Sequence, residues 1–185
     1  MGNTRTDIID LAEQLIRSKG FNAFSYADIS GPLGIKNAAV HYHFPSKAAL
    51  GTAVINRTRE AFEANTLEWG KQTPPQQLNA FIGIYTSSQQ KDLVCFMGAL
   101  GPAYDTLPQP MQEALTAASE EIRSWLRNVL STGLEAGDFH FTETVEARAD
   151  LIIGSLLSSL ILHRVTKDDV PANVRAAVLS GLSNT

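Results

Sequence analysis

The stretch Ser25–Phe44, SYADISGPLGIKNAAVHYHF, decides the fold. Ser25 reads as a helix cap with an acid, Asp28, three residues on, and Tyr26, Ile29 and Leu33 follow as a short apolar face. Gly34 supplies the stop and Ile35 plugs the corner. A second short helix is predicted over 37–43, closed by Pro45. Ile29, Leu33, Ile35 and Val40 form the buried set, and Ala38 and Ala39 keep the second helix slim. Lys36, Asn37, His41, Tyr42 and His43 give that helix a polar and aromatic outer surface. Two short helices around a glycine turn make a helix-turn-helix.

Working outward, Ile8, Leu11, Ala12 and Leu15 recur at helical spacing between a cap-like Thr4 and the stop at Gly20. Beyond the pair, Ser46 caps a long helix running to Trp69. Gly70 and Pro74-Pro75 then break the pattern. Further helices are predicted over 76–89, 93–100, 111–134, 143–165 and 172–182, with Pro102, Pro108 and Pro110 marking a loop. No run alternates like a strand. The expected fold is all-α with about nine helices: a three-helix head at 1–48 and a helical-bundle body at 49–185.

At 185 residues and 44% hydrophobic composition the chain can bury a sizeable core. Its net charge is −4, but the sign is not uniform. Residues 1–60 carry seven cations against five anions, a net of +2, which leaves −6 for the remainder. A mildly basic head beside an acidic body argues against general polyanion binding and for a local interaction. The single cysteine, Cys95, cannot form an internal disulfide, and no charged start precedes an apolar stretch, so a cytoplasmic location is expected. The most apolar segment, residues 151–162, is shorter than the roughly 20 residues a bilayer requires, so no membrane association is expected.

A helix-turn-helix with a polar second helix is a DNA-reading element. The run ADISGPLGIKNAAVHYHFPSKAAL, with LIRSKGFNAFSYADI before it, resembles the DNA-binding signature of the TetR/AcrR family over roughly residues 4–58. The resemblance implies a homodimer that binds a palindromic operator and releases it when a small-molecule effector enters the body. It also places Lys36, Asn37, Ala38 and Ala39 at the start of the recognition helix. His41 stands where the family most often has a phosphate-contacting tyrosine, and Tyr42 and His43 face the groove or backbone. Phe44 becomes the buried anchor and Lys47 the phosphate-contacting lysine.

Two positions depart from that pattern. Histidine at 41 keeps a donor but shortens its reach. Gly31-Pro32 lies inside the helix between Ser25 and Gly34, where proline removes a hydrogen bond, predicting a helix that ends a turn early or bends. These two features support an alternative reading, a helical protein-interaction module that keeps the head as a scaffold. His41 and His43 point to different faces, so no metal site is expected; His140 and His163 are isolated and read as structural or pocket-lining.

In the body, Phe81, Tyr85, Trp125, Val129, Leu157 and Leu160 are candidates for an effector cavity, together with Cys95, Phe96, Leu100 and Tyr104. Such residues at helical spacing serve a core as readily as a pocket. Few charges fall among them, which favours an apolar or aromatic effector. Cys95 reads either as a small buried hydrophobe or as a thiol sensor. Gly154, Ser155 and Ser158 allow close helix approach, and Leu151, Leu162, Val174 and Val178 supply apolar contact for a dimer interface. No nucleophile elbow, phosphate-cradling loop or HExxH motif occurs, so no catalytic residue, metal or cofactor is expected, and the chain does not read as an enzyme.

Overall fold

The computed structural model describes residues 4–182, and all the regular structure there is helical. The order is α1 (Thr4–Lys19), α2 (Ala27–Leu33), α3 (Asn37–His43), α4 (Lys47–Trp69), α5 (Pro74–Gln90), α6 (Phe96–Leu100), α7 (Gln109–Glu135), α8 (Val145–Thr166) and α9 (Val170–Ser180). Short 3₁₀ turns follow α1 at Phe21–Ala23 and α6 at Gly101–Thr106. The expectation of nine helices and no strand holds over the described residues.

Helix starts were less legible than helix existence. Pro74 and Pro75, expected to lie outside a helix, open α5. Proline is tolerated in a first turn because the missing N–H has no intrahelical partner there. Thr73 and Gln76 close a reciprocal capping box ahead of them, with the Thr73 N–H donating to Gln76 Oε1 at 3.1 Å. Pro110 and Pro171 likewise sit in the first turns of α7 and α9, so both helices begin earlier than predicted. Ser46 caps α4 as expected, its hydroxyl accepting from the Ala49 N–H at 3.1 Å.

The chain forms two compact units. The head unit comprises residues 1–61 and 96–118. Its core joins Ile8, Ala12 and Ile16 of α1 to Ile29 and Val40 of the helix pair. Leu50, Val54 and Ile55 of α4 complete it, with Leu100, Leu107, Met111 and Leu115 from the later segment. At Gly51 a Cβ would lie 2.5 Å from Met111 Sδ, so glycine there lets the methionine reach α4.

The body unit comprises residues 62–95 and 119–185. α8 packs against α5 and α9. Its core holds Leu78, Phe81 and Ile82 of α5, Leu126 and Leu130 of α7, and Ile152, Leu156 and Leu160 of α8. Phe139 lies against Gly133 so closely that a Cβ would meet its ring at 2.1 Å. Arg123 of α7 grips Asp150 of α8 through Nε and Nη2 at 2.8 and 2.9 Å. Among the described residues, no helix is long and apolar enough to cross a membrane.

Candidate functional site

Two side-chain links set α2 and α3 against each other, and a third closes the start of α2. Asp28 accepts from the Ser25 N–H at 2.7 Å and from its hydroxyl at 2.8 Å, closing the start of α2. These bonds from Ser25, the backbone one first, hold the Asp28 carboxyl below the ordinary range. The buried Tyr26 phenol donates to the Phe44 carbonyl at 2.7 Å, tying the start of one helix to the end of the other. Desolvation pushes this phenol above its usual pKa. Buried Ser30 donates to Asn37 Oδ1, joining the middle of α2 to the first residue of α3.

Pro32 does not shorten α2. The helix runs to Leu33 and ends on Gly34, whose φ of 64° lies in the left-handed region. Its amide reaches the Gly31 carbonyl at 3.1 Å, and Ile35 returns to Ser30 at 3.0 Å. Proline falls in the last turn, on the exposed side, where it withdraws a single donor. The predicted early end is therefore corrected, and a main support for the scaffold-only reading goes with it.

α3 has two unlike sides. Val40 and the following Phe44 enter the head core. Lys36, Asn37, Ala38, His41 and Tyr42 are exposed, Tyr42 at 84%, while Ala39 and His43 are half-buried. The His41 ring stands edge-on to Tyr26 with centroids 4.6 Å apart, and His43 packs similarly on Tyr42 at 5.2 Å. Those contacts orient the two imidazoles without burying them, and no described group of three or more His, Cys, Asp or Glu could hold a metal.

Lys47 is placed differently from its α3 neighbours. Its ammonium donates to the Phe24 carbonyl and lies 4.2 Å from the Phe24 ring centroid and 4.7 Å from that of Phe21. Burial lowers its pKa, against the opposing pull of Asp28. The lysine fastens the α4 start to the loop before α2, a role its spacing alone could not reveal. Behind it, Arg57 of α4 bonds Asp10 and Glu13 of α1.

The cavity candidates divide between the units. Leu100 is fully buried in the head core, Phe96 packs on that core with the Arg17 guanidinium 5.6 Å from its ring centroid, and Tyr104 hydrogen-bonds Thr116 at 2.8 Å. Phe81, Tyr85, Cys95, Trp125, Val129, Leu157 and Leu160 belong to the body unit. There Phe81, Tyr85 and Trp125 join a chain of rings with Phe62 and Trp69, at centroid separations of 5.4–6.3 Å. Phe62 and Trp69 were not among the predicted members, although their seven-residue spacing places both on one helix face. Burial, then the nearby Cys95, pushes the Tyr85 phenol far up. The His163 Nδ1–H donates to the Asp168 carbonyl at 2.7 Å near the end of α8.

Of the predicted interface residues, Leu151 and Leu162 are half exposed, and Gly154 and Ser158 are exposed between them. Ile161 and Val165, the latter 77% exposed, extend the same stripe of α8. Ser155, Val174 and Val178 are half-buried. A Cβ at Gly154 would meet only open space.

Comparison with known proteins finds matches to both the N-terminal and the C-terminal part of the chain. Residues 8–54 fit the model of bacterial regulatory proteins of the tetR family, and residues 74–179 fit the tetracyclin repressor-like C-terminal domain. An HTH-type transcriptional regulator from the lacX 3′ region of Lactococcus lactis subsp. lactis is 26% identical over 90% of this chain and 86% of its own. A TetR-family transcriptional regulator from Agrobacterium tumefaciens superimposes with a TM-score of 0.92 at 29% identity, covering 98% of both chains. A TetR transcriptional regulator from Legionella pneumophila gives 0.89 at 29% identity over 99% of each chain. The chain belongs to the TetR family of bacterial transcriptional regulators, with a helix-turn-helix DNA-binding head.

Proposed function

We propose that the protein is a dimeric repressor that a small molecule releases from a palindromic operator. The observation that carries this reading is the two-sided α3. Val40 and Phe44 anchor it in the head core while Lys36, Asn37, Ala38, His41 and Tyr42 stay open to a groove. Ala39, His43 and Lys47 border that surface. Phosphate contacts set register and base-edge contacts select sequence.

A single mildly basic head binds weakly, so affinity comes from two heads held about 34–36 Å apart by a two-fold axis. The α8 stripe of Leu151, Gly154, Ser158 and Leu162 supports that dimer, with Ser155, Val174 and Val178 beside it. The ring cluster around Phe81 and Trp125 supports an apolar or aromatic effector in the body. Effector binding favours a conformer whose heads no longer fit successive grooves, a coupling of about 5–150-fold in DNA affinity. The reading places the protein in the cytoplasm, with its operator.

A mobility-shift assay on the DNA upstream of the protein's own gene tests the reading. The expected result is a salt-sensitive complex of two chains per duplex, loosened by an aromatic ligand without loss of the dimer. Absence of any sequence-selective complex overturns it.

A further inference from the structure

We infer that Ser30 is a positioning residue for sequence readout, fixing the Asn37 amide so that it offers the major groove a donor and not an acceptor. The inference rests on the proposal that α3 reads the operator. Ser30 is 7% exposed and lies on α2, off the reading surface. Its hydroxyl donates to Asn37 Oδ1. The carboxamide is planar, with its oxygen and nitrogen on opposite edges, so an oxygen held inward turns Nδ2 outward. Asn37 itself is exposed at the first residue of α3.

A free asparagine reads adenine by pairing both amide edges, accepting from N6 and donating to N7. Here the bond to Ser30 holds the oxygen inward, which presents the two Nδ2–H donors to the groove. Guanine answers them best, because O6 and N7 lie side by side as acceptors. Cytosine presents only its N4 donor to the major groove and is rejected. The operator position facing Asn37 therefore favours guanine and excludes cytosine, a discrimination of roughly fivefold or more for one well-placed contact.

Selection from randomised duplexes by the full-length protein tests this. Asn37→Ala identifies the half-site position that the amide reads, as the one whose preference disappears. At that position the natural protein selects guanine over cytosine. Ser30→Ala frees the amide to turn, so the preference there flattens while the rest of the site keeps its own. Ser30→Thr, which retains the hydroxyl, restores guanine. A Ser30→Ala site logo identical to that of the natural protein overturns the inference, and so does uniform weakening on every sequence, the mark of a packing role. Failure of the natural protein to select any sequence removes the DNA reading and this inference together.

Discussion

The Tyr26 phenol and the Phe44 carbonyl, eighteen residues apart, meet at 2.7 Å in the head interior. This bond spans the turn that the two short helices share, and the same ring supports His41 on the outside. One side chain thus closes the motif and orients part of its exposed surface.

Tyr26→Phe is expected to cost about 1 kcal/mol or somewhat more, since it leaves a buried carbonyl without its donor. Urea denaturation of both proteins measures it. The phenol's folded pKa is raised, so the unfolded state ionises first as pH climbs through about 10. Tyr26 therefore lowers stability on the alkaline side, and the gap between the natural protein and Tyr26→Phe narrows there.

Lys47→Ala is expected to lower both stability and DNA affinity. Loss of the Phe24 bond and the two ring contacts costs the head about 1.5–3 kcal/mol, read by thermal unfolding. If the ammonium also meets a phosphate, binding to all sequences weakens alike and the salt slope becomes shallower by about one. A lower melting temperature with an unchanged slope confines the lysine to packing.

Gly133→Ala drives a methyl group into the Phe139 ring. Overpacking of this kind costs about 1–3 kcal/mol. The double variant Gly133→Ala, Phe139→Leu recovers part of the loss in a denaturation cycle. Simple additivity of the two changes rules out the contact as the cause.

The Arg123 guanidinium holds the Asp150 carboxyl below its usual range. A depressed carboxylate stabilises the fold above its unfolded pKa of about 3.9 and loses that contribution as pH falls through the folded value. Asp150→Asn is accordingly less stable than the natural protein at neutral pH, and the difference shrinks in acid. A difference independent of pH excludes the ion pair as its source.

Leu162→Glu places a charge on the exposed α8 stripe between Ser158 and Val165. In a dimer built on that stripe, two such charges face each other out of water, and sedimentation shows a monomer with an intact helical spectrum. Operator binding falls with dimerisation. An unaltered dimer moves the interface elsewhere.

Spacing and punctuation alone determined the all-α class, the α2–Gly34–α3 motif and the cap at Ser46. Each depends on neighbours within a turn or two, and helical period and capping chemistry act at that range. Tertiary packing decided the rest. Only the folded head shows that Leu100 completes its core, that Lys47 turns inward to Phe24 and that Ser30 holds Asn37. Pro32 belongs with them, because its cost depends on which turn of α2 it occupies and on the exposure of that side. Phe62 and Trp69 meet Trp125 only when distant helices pack. Local pattern fixes which face of a helix is apolar, but the partner for that face lies far along the chain, and its identity emerges only when the core closes.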